Sequence, residues 1–119
     1  FAAQPAKVVG LFDIFALSSD SEQFPISVVE AMAAGLPVVS PDIGDVAAMV
    51  AAENRPLIAP AGDEAGLAAR LEQLVRDPGL RHAVGEANRT RARAEYDEKT
   101  MVDAYRAVYA RALLKPSFP

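Results

Sequence analysis

The sequence predicts an α/β domain of Rossmann-like architecture, a parallel sheet with flanking helices. Short apolar runs alternate with segments of helical periodicity over the first half of the chain. One run, Ile14-Phe15-Ala16-Leu17, is continuously hydrophobic, as a strand covered on both faces would be. Glycine and proline punctuate the junctions, at Gly35, Pro37, Gly44, Pro56, Pro60 and Gly62. Such alternation implies parallel pairing through right-handed crossovers, and ligands of these sheets bind beyond the carboxyl ends of the strands.

Taken in order, residues 6–12 read as a short helix and 14–17 as the first strand, followed by a polar loop over 18–23. A helix over about 25–34 follows, opened by Pro25 and stopped by Gly35, with Pro37 just beyond. Val38-Val39 is the second strand, and Gly44 breaks the chain before a short helix over 46–51. Leu57-Ile58, between Pro56 and Pro60, reads as a third and weaker strand. Beyond Gly62, Asp63 can cap a helix over about 64–76, and two further helices are expected over 78–95 and 98–114. The last carries Met101, Val102, Tyr105, Val108, Tyr109, Ala112 and Leu113 at helical spacing, an apolar stripe that predicts a homodimer or swapped contact through this helix.

At 119 residues the chain forms one compact domain at most. The start at Phe1 without Met suggests a piece processed or excised from a longer protein. Hydrophobic residues make up 51% and charged residues 24%, a soluble, globular balance, and no apolar run approaches the roughly 20 residues a membrane span needs. No secretion signal is visible, and with no cysteine there is neither a disulfide framework nor a thiolate metal site; a cytoplasmic location is expected. The net charge of -4 argues against a nucleic-acid surface. Between residues 8 and 54 there is no Lys or Arg, while Asp13, Asp20, Glu22, Glu30, Asp42, Asp45 and Glu53 all carry carboxylates.

Residues 19–35 set one carboxylate in a loop and a second inside the helix that the loop opens. The amides of Ile26, Ser27 and Val28, in the first turn, lack intrahelical acceptors and attract phosphate. Glu30 lies about one and a half turns into the same helix and can accept both hydroxyls of a ribose diol. Glu22 can accept the hydroxyls of a sugar held over the loop, beside the backbone of Gln23 and Phe24. A nucleotide sugar has this order of groups. The helix dipole supplies only about half a positive charge, too little for a diphosphate between two glutamates, so the donor site is incomplete without cations from elsewhere. The competing readings are structural: solvated glutamates, a core Phe24, local caps at Ser21 and Ser27, an incidental His82, and Arg89, Arg91 and Arg93 on a solvated helix face.

The same stretch resembles the E-x7-E signature of the retaining GT-B glycosyltransferases called group 1 or family 4, with Glu22 and Glu30 as the two glutamates. Residues 11–19 are similar to the family's strand into the motif, 30–40 to its helix, turn and next strand, and Pro60-Ala61-Gly62-Asp63 to a later loop. The resemblance covers about residues 5–112. It implies a partial C-terminal, donor-binding half of a GT-B enzyme, one domain over residues 1–119, in a parent about three times longer. It also implies Glu22 as the catalytic residue, contacting donor-sugar hydroxyls, with Gln23, Phe24, Ile26, Ser27, Val28 and Glu30 binding substrate, and no metal or other cofactor. The implied partners are a nucleotide-sugar donor, the N-terminal domain of the parent chain, and an acceptor at a membrane surface; the resemblance also implies a basic pair for the diphosphate on the segment preceding this one. Two positions depart from the pattern: Gln23 stands where glycine usually follows the first glutamate, and Gly44-Asp45 with Ala48 replaces a Gly-Gly pair and a following acid. The alternatives are a non-catalytic nucleotide-binding or interaction module of the same fold, and a bare structural domain. Alone, the chain is expected to be inactive.

Overall fold

The computed structural model describes residues 4–117. Three parallel strands, β1 (Phe15–Ala16), β2 (Val38–Pro41) and β3 (Ile58–Ala59), form a sheet in that order. Phe15 and Ala16 register with Val38 and Val39, and Ser40 and Pro41 with Ile58 and Ala59. Helix α1 (Ile26–Ala33) joins β1 to β2, and α2 (Val46–Met49) with a 3-10 segment (Ala52–Leu57) joins β2 to β3. Helices α3 (Glu64–Arg76), α4 (Pro78–Glu95) and α5 (Glu98–Ala112) complete the chain. No helix among the described residues is long and apolar enough to cross a membrane.

The pleat divides the core. Val38 and Val39, both fully buried, point to opposite faces of β2. Val38 joins Val28, Met32, Val46 and Met49 in one cluster, and Val39 joins Leu57, Leu74 and Val84 in the other. Both faces of the central strand are therefore covered by helices. The strand expected to be covered on both sides, β1, is instead at the sheet edge, with Phe15 half-buried and Ala16 exposed.

Two other expectations change. Residues 6–12 are not one helix but two 3-10 turns, Pro5–Lys7 and Val9–Leu11. Neither turn has a side-chain cap, and a segment this short does not repay helix nucleation. Leu57 belongs to the 3-10 segment rather than to β3. That segment coils so that Asn54, fully buried, reaches β2: its Oδ1 accepts from the Val38 amide and its Nδ2 donates to the Val38 carbonyl. A side chain thus takes the place of a strand partner where β3 has not yet begun. Asn88 of α4 extends the network, donating to Asn54 Oδ1 at 2.8 Å and to the Leu36 carbonyl at 2.9 Å while accepting from the Ala51 amide.

Helix α4 lies directly on the turn after α1. Gly35 takes φ +80°, the left-handed conformation that ends α1, and a Cβ on Gly85 would overlap the Gly35 carbonyl oxygen. Asp63 caps α3 through the Gly66 amide, as its position after Gly62 predicts, and Asp97 caps α5. The α5 stripe is largely uncovered: Met101, Tyr105, Val108, Tyr109 and Leu113 are each more than half exposed.

Candidate functional site

The site residues occupy the carboxyl edge of the sheet because β1 ends there. The Leu17 amide donates to the Val39 carbonyl at 2.9 Å, the last bond between β1 and β2, and the chain then turns outward through a loop to Pro25. Pro25, expected inside the helix, instead caps it with extended backbone (φ −70°, ψ 111°), and Ile26 is the first helical residue. Proline has no amide to lose here, and its carbonyl accepts from the Val28 amide at 3.0 Å. No side chain caps this end.

Those bonds sort the three predicted phosphate donors. The Val28 amide is engaged by Pro25, and its side chain is core. The amides of Ile26 and Ser27, at the first two helical positions, precede any intrahelical acceptor and are the donors this helix end offers. Ile26 exposes 64% of its surface. Ser27 and Glu30, both half-buried, are three residues apart and neighbours on one helix face.

The loop itself is clamped from outside. Gly44, at φ +53°, packs so closely beneath it that a Cβ would overlap the carbonyls of both Glu22 and Gln23. The Asp45 amide donates to the Gln23 carbonyl at 2.8 Å. Glu22 is half-buried and Gln23 exposed. Gln23 does not need glycine's freedom: among the described non-glycine residues, only Leu114 has positive φ. Phe24 is 44% exposed and is not core; its ring meets the edge of Tyr96 at a centroid distance of 5.8 Å and 77° between planes. Tyr96 is the residue that sequence reasoning missed. It sits at the break between α4 and α5, and no local periodicity marks its partner on the loop after β1.

The arginines do not form the expected solvated face. Arg89 donates to the Ala34 carbonyl at 3.0 Å, and Arg91 to those of Ala48 and Val50, satisfying groups left open where α1 and α2 end. Both also pair with glutamates on their own helix, Glu86 and Glu95. Of the three, Arg93 alone is exposed. Arg89 and Arg91 therefore engage helix C-terminal carbonyls. His82 lies exposed on α4. Among the described residues no group of three or more His, Asp or Glu could hold a metal ion. A cleft opens at the same sheet edge between Ser18, Asp20, Pro41, Asp63 and Glu64, and its walls include none of the predicted site residues.

A parallel sheet with helices on both faces, and a loop and helix start presented at its carboxyl edge, is the ligand-binding arrangement of doubly wound domains. The profile described as "Glycosyl transferases group 1" matches residues 2–91, and the chain belongs to that family. Curated relatives include N-acetyl-alpha-D-glucosaminyl L-malate synthase of Bacillus anthracis, 26% identical over 104 residues, covering 87% of this chain and 27% of the relative. D-inositol 3-phosphate glycosyltransferase of Corynebacterium urealyticum is 33% identical over 110 residues, covering 87% and 26%. Among solved structures, sucrose-phosphate synthase from Thermosynechococcus elongatus superposes with a TM-score of 0.67 at 26% identity, over 81% of this chain and 26% of that one. The fold is part of a GT-B glycosyltransferase. The chain spans about a quarter of the length of the relatives it matches.

Proposed function

We propose that this chain is the donor-binding part of a retaining glycosyltransferase, which moves a sugar from a nucleotide-activated donor to an acceptor. The observation that carries the reading is the clamped loop: Glu22 on it, the free Ile26 and Ser27 amides at its end, and Glu30 one turn further on. Glu22 takes donor-sugar hydroxyls, Gln23 and Phe24 border the sugar, the two amides face the diphosphate, and Glu30 takes the ribose diol. In a retaining transfer the diphosphate leaves on the face that the acceptor attacks, so the protein contributes chiefly positioning and charge stabilisation. The required cations come from the segment that precedes this one in a longer chain, since Arg89 and Arg91 are committed elsewhere. The uncovered α5 stripe supports that stripe as the contact face for a partner domain or for a second copy, and the proposal extends to a cytoplasmic enzyme whose acceptor lies at a membrane surface.

Calorimetric titration of UDP, GDP and ADP, with the chain joined to the residues encoded before it and alone, tests the donor site. A nucleotide should bind the joined form, and Glu30→Ala should weaken that binding by at least tenfold, about 1.4 kcal/mol. Affinity indifferent to Glu30 rejects the ribose assignment and favours the non-catalytic module. Sedimentation at tens of micromolar, on the order expected for weak association, reads whether α5 pairs two copies.

A further inference from the structure

Tyr96 belongs to neither the loop after β1 nor the segment beneath it, yet it touches both neighbourhoods. Its ring edge-packs on Phe24, and its hydroxyl donates to the Met49 carbonyl at 3.1 Å, at the end of α2. That short helix begins just after Asp45, whose amide holds the Gln23 carbonyl. One aromatic side chain therefore leans on the loop at Phe24 and is pinned to the helix that follows the loop's floor. We propose that Tyr96 is a positioning residue for the site: it holds the Glu22–Phe24 backbone down on Gly44–Asp45, and so fixes where Glu22 is presented.

The chemistry divides the two ends of the side chain. A T-shaped aromatic pair gains beyond simple area burial, and Phe24 belongs to neither core cluster. The ring is thus the part that restrains the loop. The hydroxyl aims the ring, and its bond to Met49 is one neutral hydrogen bond in a half-buried setting.

Hydrogen exchange on the 119-residue chain separates this role from general packing. The Asp45 amide reports the loop clamp, while the Leu17 amide, bonded to Val39, reports the sheet. Tyr96→Leu should speed exchange at Asp45 about fivefold to tenfold relative to Leu17, the range expected for one aromatic pair. Tyr96→Phe keeps the ring and should restore the Asp45-to-Leu17 ratio to within about twofold of the parent chain. If Tyr96→Leu is too unstable to measure, Phe24→Leu removes the pair from its exposed partner and should give the same selective acceleration. Equal acceleration of both amides, or no change at Asp45 in Phe24→Leu, overturns the proposal. The consequence for donor affinity rests on the donor-loop reading above. In the joined form, Tyr96→Leu should weaken nucleotide-sugar binding severalfold more than it weakens binding of the bare nucleoside diphosphate. If no nucleotide binds at all, the donor reading fails while the exchange result still decides the role of Tyr96.

Discussion

Asn54 holds both backbone polar groups of Val38, accepting from the amide and donating to the carbonyl, each at 2.8 Å. The pair is fully buried, and it closes the central strand at a point where no third strand stands beside it. Truncating Asn54 to Ala leaves three buried groups without that partner, the Val38 amide, the Val38 carbonyl and one Asn88 Nδ2 hydrogen, and should cost about 3 kcal/mol or more, from about 1–3 for each orphaned group. Asn54→Leu, which keeps the bulk, should recover little of that. Urea unfolding midpoints for the two variants check this; a Leu variant as stable as the parent would show that volume, not hydrogen bonding, matters at this position.

The contact between α4 and the turn after α1 leaves no room for a methyl group. Gly85→Ala would place its Cβ on the Gly35 carbonyl oxygen, which belongs to backbone already held at φ +80°. Neither side yields easily, so the helix must shift. The expected loss is about 2–3 kcal/mol, as for other overpacked sites, even though alanine is the better helix former. Thermal unfolding reads the sign directly, since helix propensity alone predicts stabilisation.

Much of the fold was legible because its signals are local. Asp63 after Gly62, Pro78 after Asp77 and Gly35 before Pro37 fix helix ends within a few residues of themselves, and α3 and α4 span the predicted residues. What was missed depends on residues distant in sequence. Asn54 meets Val38 across 16 positions, Asn88 meets Ala51 across 37, and Arg89 meets Ala34 across 55. A polar residue inside a helical pattern looks the same whether it faces water or a buried strand. The proposed site divides in the same way: Glu22, Pro25 and Glu30 lie in one continuous stretch, whereas Gly44, Asp45 and Tyr96, which contact that stretch, come from two other places in the chain.

Leu114 offers a stabilising change. It ends α5 at φ +53°, the left-handed conformation, with the Lys115 amide donating back to the Ala110 carbonyl. Its side chain is 94% exposed, so it repays the backbone strain with little packing. Leu114→Gly should stabilise α5 by about 0.5–1 kcal/mol, the usual advantage of glycine at this cap position. Increased helicity in circular dichroism, without a change in the exchange of α3 amides, would locate the gain at the C-terminal helix.

Gly44 makes the most direct connection between backbone conformation and the proposed chemistry. Its positive φ disfavours any side chain by about 1–2 kcal/mol, and a Cβ would also strike the carbonyls of Glu22 and Gln23. Gly44→Ala therefore carries two costs of different kinds: one falls on the fold, and the other displaces the loop that bears Glu22. Stability should fall by about 2–4 kcal/mol. Loop displacement also predicts loss of the Asp45–Gln23 bond, seen as faster exchange at the Asp45 amide beyond the global change. In the form joined to its upstream residues, nucleotide-sugar affinity should drop at temperatures where the variant is still fully folded. Retained affinity in a folded Gly44→Ala chain would mean that the Glu22–Gln23 backbone does not border the donor.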